Sequence, residues 1–159
     1  TLCPDLPELM AQIKALGFAV KLDTNGSRPE VLHQILDRGL ADYVAMDVKS
    51  SPQGYNAAVG IAADTAALEE SLKLLIHGST PYELRTTVVQ GLHTQASILE
   101  MGQWLYALAG KKPVSKIFLQ PFVMRPTVPD QNLQPPETAQ MTEYARLLET
   151  FAQEVSVRG

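Results

Sequence analysis

"DYVAMDVK", residues 42–49, runs through Tyr43, Val44, Ala45 and Met46 and then breaks into charge at Asp47 and Lys49. A short, wholly apolar run of this kind is the mark of a strand covered on both faces, as in a parallel sheet. Asp47 and Lys49 stand two apart, so on a strand they share a face. As a surface ion pair they would contribute only ~0–1 kcal/mol. At the end of a buried strand they point instead to a pocket. An aspartate can accept two hydroxyl hydrogen bonds from a ribose, and a lysine can anchor a carboxylate.

The same design appears one unit earlier. "FAVKLD", residues 18–23, reads as a short strand, and "DTNG", residues 23–26, closes it with a carboxylate, a hydroxyl, a carboxamide and a glycine. These are turn formers, so an Asx-type turn explains them as well as a binding rim does.

Outward from these two strands, helices and strands alternate. "LPELMAQIKALG" spaces Leu6, Leu9, Met10, Ile13 and Leu16 as a helix that stops at Gly17. "SRPEVLHQILDRG" is a helix with Pro29 in its first turn and Gly39 at its end. "SPQGYNAAVG" reads as a loop with one helical turn. "DTAALEESLKLLIHG" is a helix capped by Asp64 or Thr65. "YELRTTVV" is a third strand, a helix begins near Thr94, and "SKIFLQPF" is a fourth strand. A proline-rich loop covers residues 121–136, and "PETAQMTEYARLLETFAQEV" reads as a last helix running to Val155.

The order α-β-α-β-α-β-α-β-α predicts an α/β fold with a parallel sheet and right-handed crossovers. Four strands cannot close an eight-stranded barrel. They suit an open sheet or part of a barrel, and in either the ligand site lies at the carboxyl ends of the strands. Asp23 and Asn25 close the first strand, Asp47, Val48 and Lys49 the second, and Gln120 the fourth. Arg85 sits within the third, where an apolar strand must pair it with a carboxylate such as Glu83 or with a ligand. His93, in "QGLHT", comes after a strand and is a further pocket candidate, whereas His33 and His77 fall on helices.

The bulk composition narrows the classes. The chain has 159 residues, 45% of them hydrophobic and 19% charged, which suits one domain spanning 1–159 with a real core. A net charge of −4 argues against nucleic acid as a partner. No apolar run approaches the ~20 residues that span a bilayer. One cysteine, Cys3, excludes an internal disulfide and predicts a cytoplasmic setting; no His or Cys stands at metal-ligand spacing from it, so no metal site is expected. There is no phosphate-binding GK[ST] loop and no nucleophile-elbow serine. The chain opens at Thr1 and enters a helix at once, without a strand before it, so an excised fragment is expected.

Taken together, "DTNG", "MDVKS", "LRTTVVQGLHT" and "IFLQPF", in that order and spacing, resemble the radical SAM superfamily. More narrowly they resemble the activating proteins of anaerobic ribonucleoside-triphosphate reductase and related glycyl-radical enzymes. The opening "TLCPDLPELM" is similar to the segment that begins at the end of the family's Gly-Gly-Glu-Pro motif, with Thr1 as the threonine there. The resemblance implies the C-terminal part of a partial (β/α)6 barrel, without its first two strands, its three-cysteine cluster loop and its Gly-Gly-Glu motif.

For the full-length protein it implies S-adenosylmethionine and a [4Fe–4S] cluster as cofactors. It further implies a 5′-deoxyadenosyl radical that abstracts hydrogen from a glycine of a partner enzyme, anaerobic ribonucleotide reductase. Asp47 and Lys49 match positions that contact the ribose and the methionyl carboxylate. Asp23 and Asn25 match the polar strand end beside them, Gln120 an adenosine-facing strand end, and Arg85 a basic strand position. The fragment itself is expected to hold neither cofactor tightly and to be inactive. Its unpaired edge before Phe18 is expected to favour association of copies. Two other readings fit the same letters: a radical SAM enzyme acting on a small molecule, and a non-catalytic α/β domain that binds a nucleotide or a protein.

Overall fold

The computed structural model describes Cys3 and residues 5–158; Thr1, expected to adjoin the Gly-Gly-Glu-Pro motif, lies outside the described residues. The elements run α1 (Leu6–Ala15), β1 (Lys21–Thr24), α2 (Pro29–Asp37), β2 (Tyr43–Asp47), α3 (Tyr55–Val59), α4 (Thr65–His77), β3 (Tyr82–Val88), α5 (Gln95–Leu108), β4 (Val114–Pro121), α6 (Thr138–Leu148) and β5 (Ala152–Val157). The strands form a five-stranded parallel sheet in the order β1-β2-β3-β4-β5. The α/β architecture is the expected one, with five strands in place of four. The chain divides into two compact units: one contains α1 to β2 and Asp64–Leu84, the other Val48–Ala63 and the chain from Arg85 onward.

In the first unit, β1 and β2 pair in parallel, with Leu22 opposite Val44 and Thr24 opposite Met46. Leu22, Val44, Ala45 and Met46 are buried, as are Met10 of α1, Leu32 and Ile35 of α2, and Leu68, Leu72 and Leu75 of α4. Asp64 caps α4 by accepting from the backbone N–H groups of Ala66 and Ala67, both at 3.1 Å. Phe18 is not in β1: it is 64% exposed, and the strand begins only at Lys21. The residues before β1 are held by Asp42, whose carboxylate accepts from Val20 N–H at 2.7 Å and from Lys14 Nζ at 2.6 Å.

In the second unit, Thr94 caps α5 through a reciprocal bond with Ser97, so the helix starts where the sequence places it. Ile98, Met101 and Leu105 of α5, Ile117 and Leu119 of β4, and Met141, Tyr144 and Leu148 of α6 form the core. The last helix is shorter than expected. It ends at Leu148, and residues 152–157 turn into β5, which pairs with β4 in register Val114↔Ala152 and Ile117↔Val155. Lys116 and Glu154 meet across these strands at 2.9 Å. Leu148, Ala152 and Val155 keep a helical spacing of four and three, so periodicity alone cannot separate the two elements. Pairing with β4 satisfies the backbone groups that a continued helix would bond internally, and it decides the outcome.

Asp42 makes stability depend on acid. The Lys14 ammonium and then the Val20 N–H hold its carboxyl below the ordinary range, so the ionised form favours the fold. A depressed folded value gives a contribution that is complete above the unfolded carboxyl range and lost as pH falls through the folded value. Asp42→Asn should therefore lower the thermal midpoint at neutral pH and flatten its decline below about pH 4. Melts across this range check it; an unaltered acid slope in the variant contradicts it.

Candidate functional site

The carboxyl end of β2 is fastened one peptide group at a time. Val48 N–H donates to the Arg85 carbonyl at 2.8 Å, and the Val48 carbonyl accepts from Thr86 Oγ at 2.8 Å. The next carbonyl, that of Lys49, accepts from His93 Nε2 at 2.8 Å. Two residues on, Ser51 Oγ donates to Glu100 at 3.2 Å. Side chains alternate along this segment: Asp47 and Lys49 are half-buried, while Val48, Ser50 and Ser51 are fully buried. Asp47 and Lys49 thus stand on the more open side of a segment whose backbone is fixed. The Thr86 bond was not foreseen from sequence, because a buried threonine on a strand reads as ordinary β-former packing.

In the first unit, Asp23 and Asn25 are exposed at the end of β1. Asp23 stands opposite Ala45 of β2, and Lys21 Nζ lies 3.9 Å from its carboxylate. The "TNG" stretch is a turn in the strict sense. Thr24 Oγ accepts from Gly26 N–H at 3.1 Å, and Asn25 Oδ1 accepts from both the backbone and the hydroxyl of Ser27, at 3.1 and 2.8 Å. Asn25's carbonyl oxygen is spent on the turn, so any contact with a ligand falls to its amide nitrogen. Gly26 adopts a φ of +72°, and a Cβ there would run into Met46 and Leu68. Ser71 Oγ donates to the Gly26 carbonyl at 2.8 Å and ties the turn to α4. The stretch is therefore a rigid turn, with Asp23 exposed beside it.

Glu83, one of the partners suggested from sequence for Arg85, is 3% exposed. It accepts from Lys21 Nζ and from Tyr43 OH, each at 3.2 Å, within the first unit. In the second unit, Arg85 and Gln120 are both half-buried, Arg85 within β3 and Gln120 near the carboxyl end of β4. A cavity of about 340 Å³ lies past the carboxyl end of β3 and is lined by Gln90, Glu137, Ala139, Gln140 and Glu143.

A larger cavity, about 430 Å³, opens between α2 and α4 beside His33, Asp37, Lys73 and His77. It includes Gly78, Ser79 and Thr80, which precede β3, so it lies at the amino end of that strand. Its charges pair locally, His33 with Asp37 at 3.1 Å and Lys73 with Glu69 at 3.7 Å. Ligand chemistry in a parallel sheet belongs at the other edge, and the strand ends are preferred here over the roomier hollow.

Cofactor fit differs between the two groups implied by the resemblance. Among the described residues no three His, Cys, Asp or Glu side chains converge as metal ligands, and Cys3 is the one cysteine of the sequence. A cluster held by three thiolates does not fit these residues. S-adenosylmethionine fits better, since an acid and an ammonium on one side of a fixed segment match its ribose hydroxyls and its carboxylate.

The fold is that of an α/β protein built on a parallel sheet. No family model matches the chain. A Methanocaldococcus jannaschii protein named as a glycyl-radical enzyme activating enzyme is 30% identical over 115 residues, covering 67% of this chain and 48% of that protein. The chain is thus related to the glycyl-radical enzyme activating enzymes, of the radical SAM superfamily, and spans about half the length of this curated relative. The crystal structure of a domain of pyruvate-formate lyase-activating enzyme from Bacteroides vulgatus matches with a TM-score of 0.76 at 15% identity, over 97% of this chain and 89% of that one. At that identity the likeness shows the fold.

Gly26→Ala should cost about 1–2 kcal/mol through its left-handed backbone and the crowding at Met46. Chemical denaturation measures it; a variant as stable as the parent would mean that the turn is not locked.

Proposed function

We propose that this chain is the later part of the barrel of a radical SAM activating enzyme, whose full-length form installs a glycyl radical on a partner such as anaerobic ribonucleotide reductase. The observation that carries the reading is the end of β2, where Asp47 and Lys49 flank a Val48 that is bonded through both its N–H and its carbonyl. The relationship to an activating enzyme supports it independently.

In this reading S-adenosylmethionine, together with a reduced cluster held by residues outside this chain, would supply the radical chemistry that removes the glycine hydrogen. The chain's own residues bind and orient. Asp47 accepts hydrogen bonds from the ribose hydroxyls. Lys49 neutralises the methionyl carboxylate. Asp23, the Asn25 amide, Arg85 and Gln120 are further candidate contacts for the cofactor. Val48, bonded to Arg85 and Thr86 through its backbone, fixes the chain between the two charged side chains. Without the cluster and the Gly-Gly-Glu contacts, these 159 residues alone bind the cofactor weakly and are inactive. A cytoplasmic setting goes with this reading.

In the full-length protein, Asp47→Asn and Lys49→Met should each weaken S-adenosylmethionine binding by about tenfold or more, the loss expected for a charge-assisted hydrogen bond. Glu69→Gln, on the outside of α4, should leave it unchanged. Titration calorimetry decides, and equal affinities in all three would remove Asp47 and Lys49 from the site. A CxxxCxxC motif encoded upstream separates a radical enzyme from a non-catalytic binding domain.

A further inference from the structure

We propose that His93 is a positioning residue for the β2 end: as a neutral ring protonated at Nε2, it clamps the Lys49 carbonyl and thereby sets the direction in which Lys49 is presented. This rests on the reading of Lys49 as a cofactor contact.

The hydrogen bonds fix the tautomer. Val89 N–H donates to His93 Nδ1 at 3.0 Å, closer than the 3.4 Å from Nδ1 to the Val89 carbonyl, which already accepts from His93 N–H, so Nδ1 is the bare nitrogen. The proton is then on Nε2, which donates to the Lys49 carbonyl at 2.8 Å. The residue is anchored through its backbone as well. Its N–H donates to the Val89 carbonyl at 3.0 Å, and its carbonyl accepts from Tyr144 OH at 2.8 Å. Burial, the largest effect, pushes the Tyr144 phenol above its ordinary value, so it remains a donor. With 3% of its surface exposed, the His93 ring has no room to rotate out of this arrangement without leaving buried polar groups unmet.

The clamp acts where the sheet stops. β2 ends at Asp47, and the Val48 bonds to Arg85 and Thr86 fasten one residue more. Beyond them, the Lys49 carbonyl is held by a ring that comes from a loop 44 residues away. A carbonyl fixed in this way fixes ψ of Lys49, and with it the side chain's starting direction. Preorganisation of that kind strengthens binding by removing the cost of ordering the loop when ligand arrives.

Two amide variants separate the ring's two bonds. Glutamine places an N–H₂ near the position of Nε2, and asparagine places a carbonyl near that of Nδ1. In the full-length protein, H93N should speed hydrogen exchange over residues 48–51 while leaving Val89 protected; H93Q should do the reverse. Binding of S-adenosylmethionine should fall about tenfold in H93N, the loss of one buried hydrogen bond, and be largely rescued in H93Q. In the unsubstituted protein, the ring nitrogen shifts of His93 should report a protonated Nε2 and a bare Nδ1, a readout that needs no variant to fold. A protonated Nδ1, or unaltered exchange over residues 48–51 in H93N, overturns the clamp. Faster exchange there with unaltered binding overturns the positioning role. The site reading fails separately, if Lys49→Met binds S-adenosylmethionine as well as the parent does.

Discussion

The 2.8 Å bond from Val48 N–H to the Arg85 carbonyl is the constraint on which the proposed site depends. It sets the facing of the chain just past the last residue of β2. The alternation that buries Val48 and Ser50 and leaves Asp47 and Lys49 half-exposed stems from it. A slip of one residue would bury the two charges and expose Val48. Such a slip would also carry Asp47 into the buried position of Met46, and the cost of burying that charge opposes it.

The elements bounded by local chemistry are readable in the letters. Asp64 and Thr94 cap α4 and α5 because their oxygens bond to amides two or three residues on, and such partners are visible in a sequence. The "DTNG" turn is readable for the same reason. A turn and a binding rim are not told apart by the same letters, because a side chain that stabilises a turn and one that meets a ligand use the same atoms. Glu83 shows another limit. It accepts from Lys21 and Tyr43, residues 62 and 40 positions away, and contacts of that range carry no local signal in a sequence.

The fifth strand and the histidine escaped for a shared reason. Residues 148–155 keep the helical period, and only pairing with β4 makes residues 152–157 into β5. His93 stands out as a residue after a strand, yet its role comes from bonding a backbone carbonyl, which has no side-chain signature. Long-range backbone pairing is where a single sequence carries least information.

The strand ends around Asp47 and Lys49 are proposed to hold S-adenosylmethionine, and the relationship to an activating enzyme supports this central claim. A structure of the full-length protein with S-adenosylmethionine bound tests that claim most directly. It should place the Asp47 carboxylate and the Lys49 ammonium each about 3 Å from the ribose hydroxyls and the methionyl carboxylate respectively. Ligand bound at the other edge, in the hollow between α2 and α4, would contradict it.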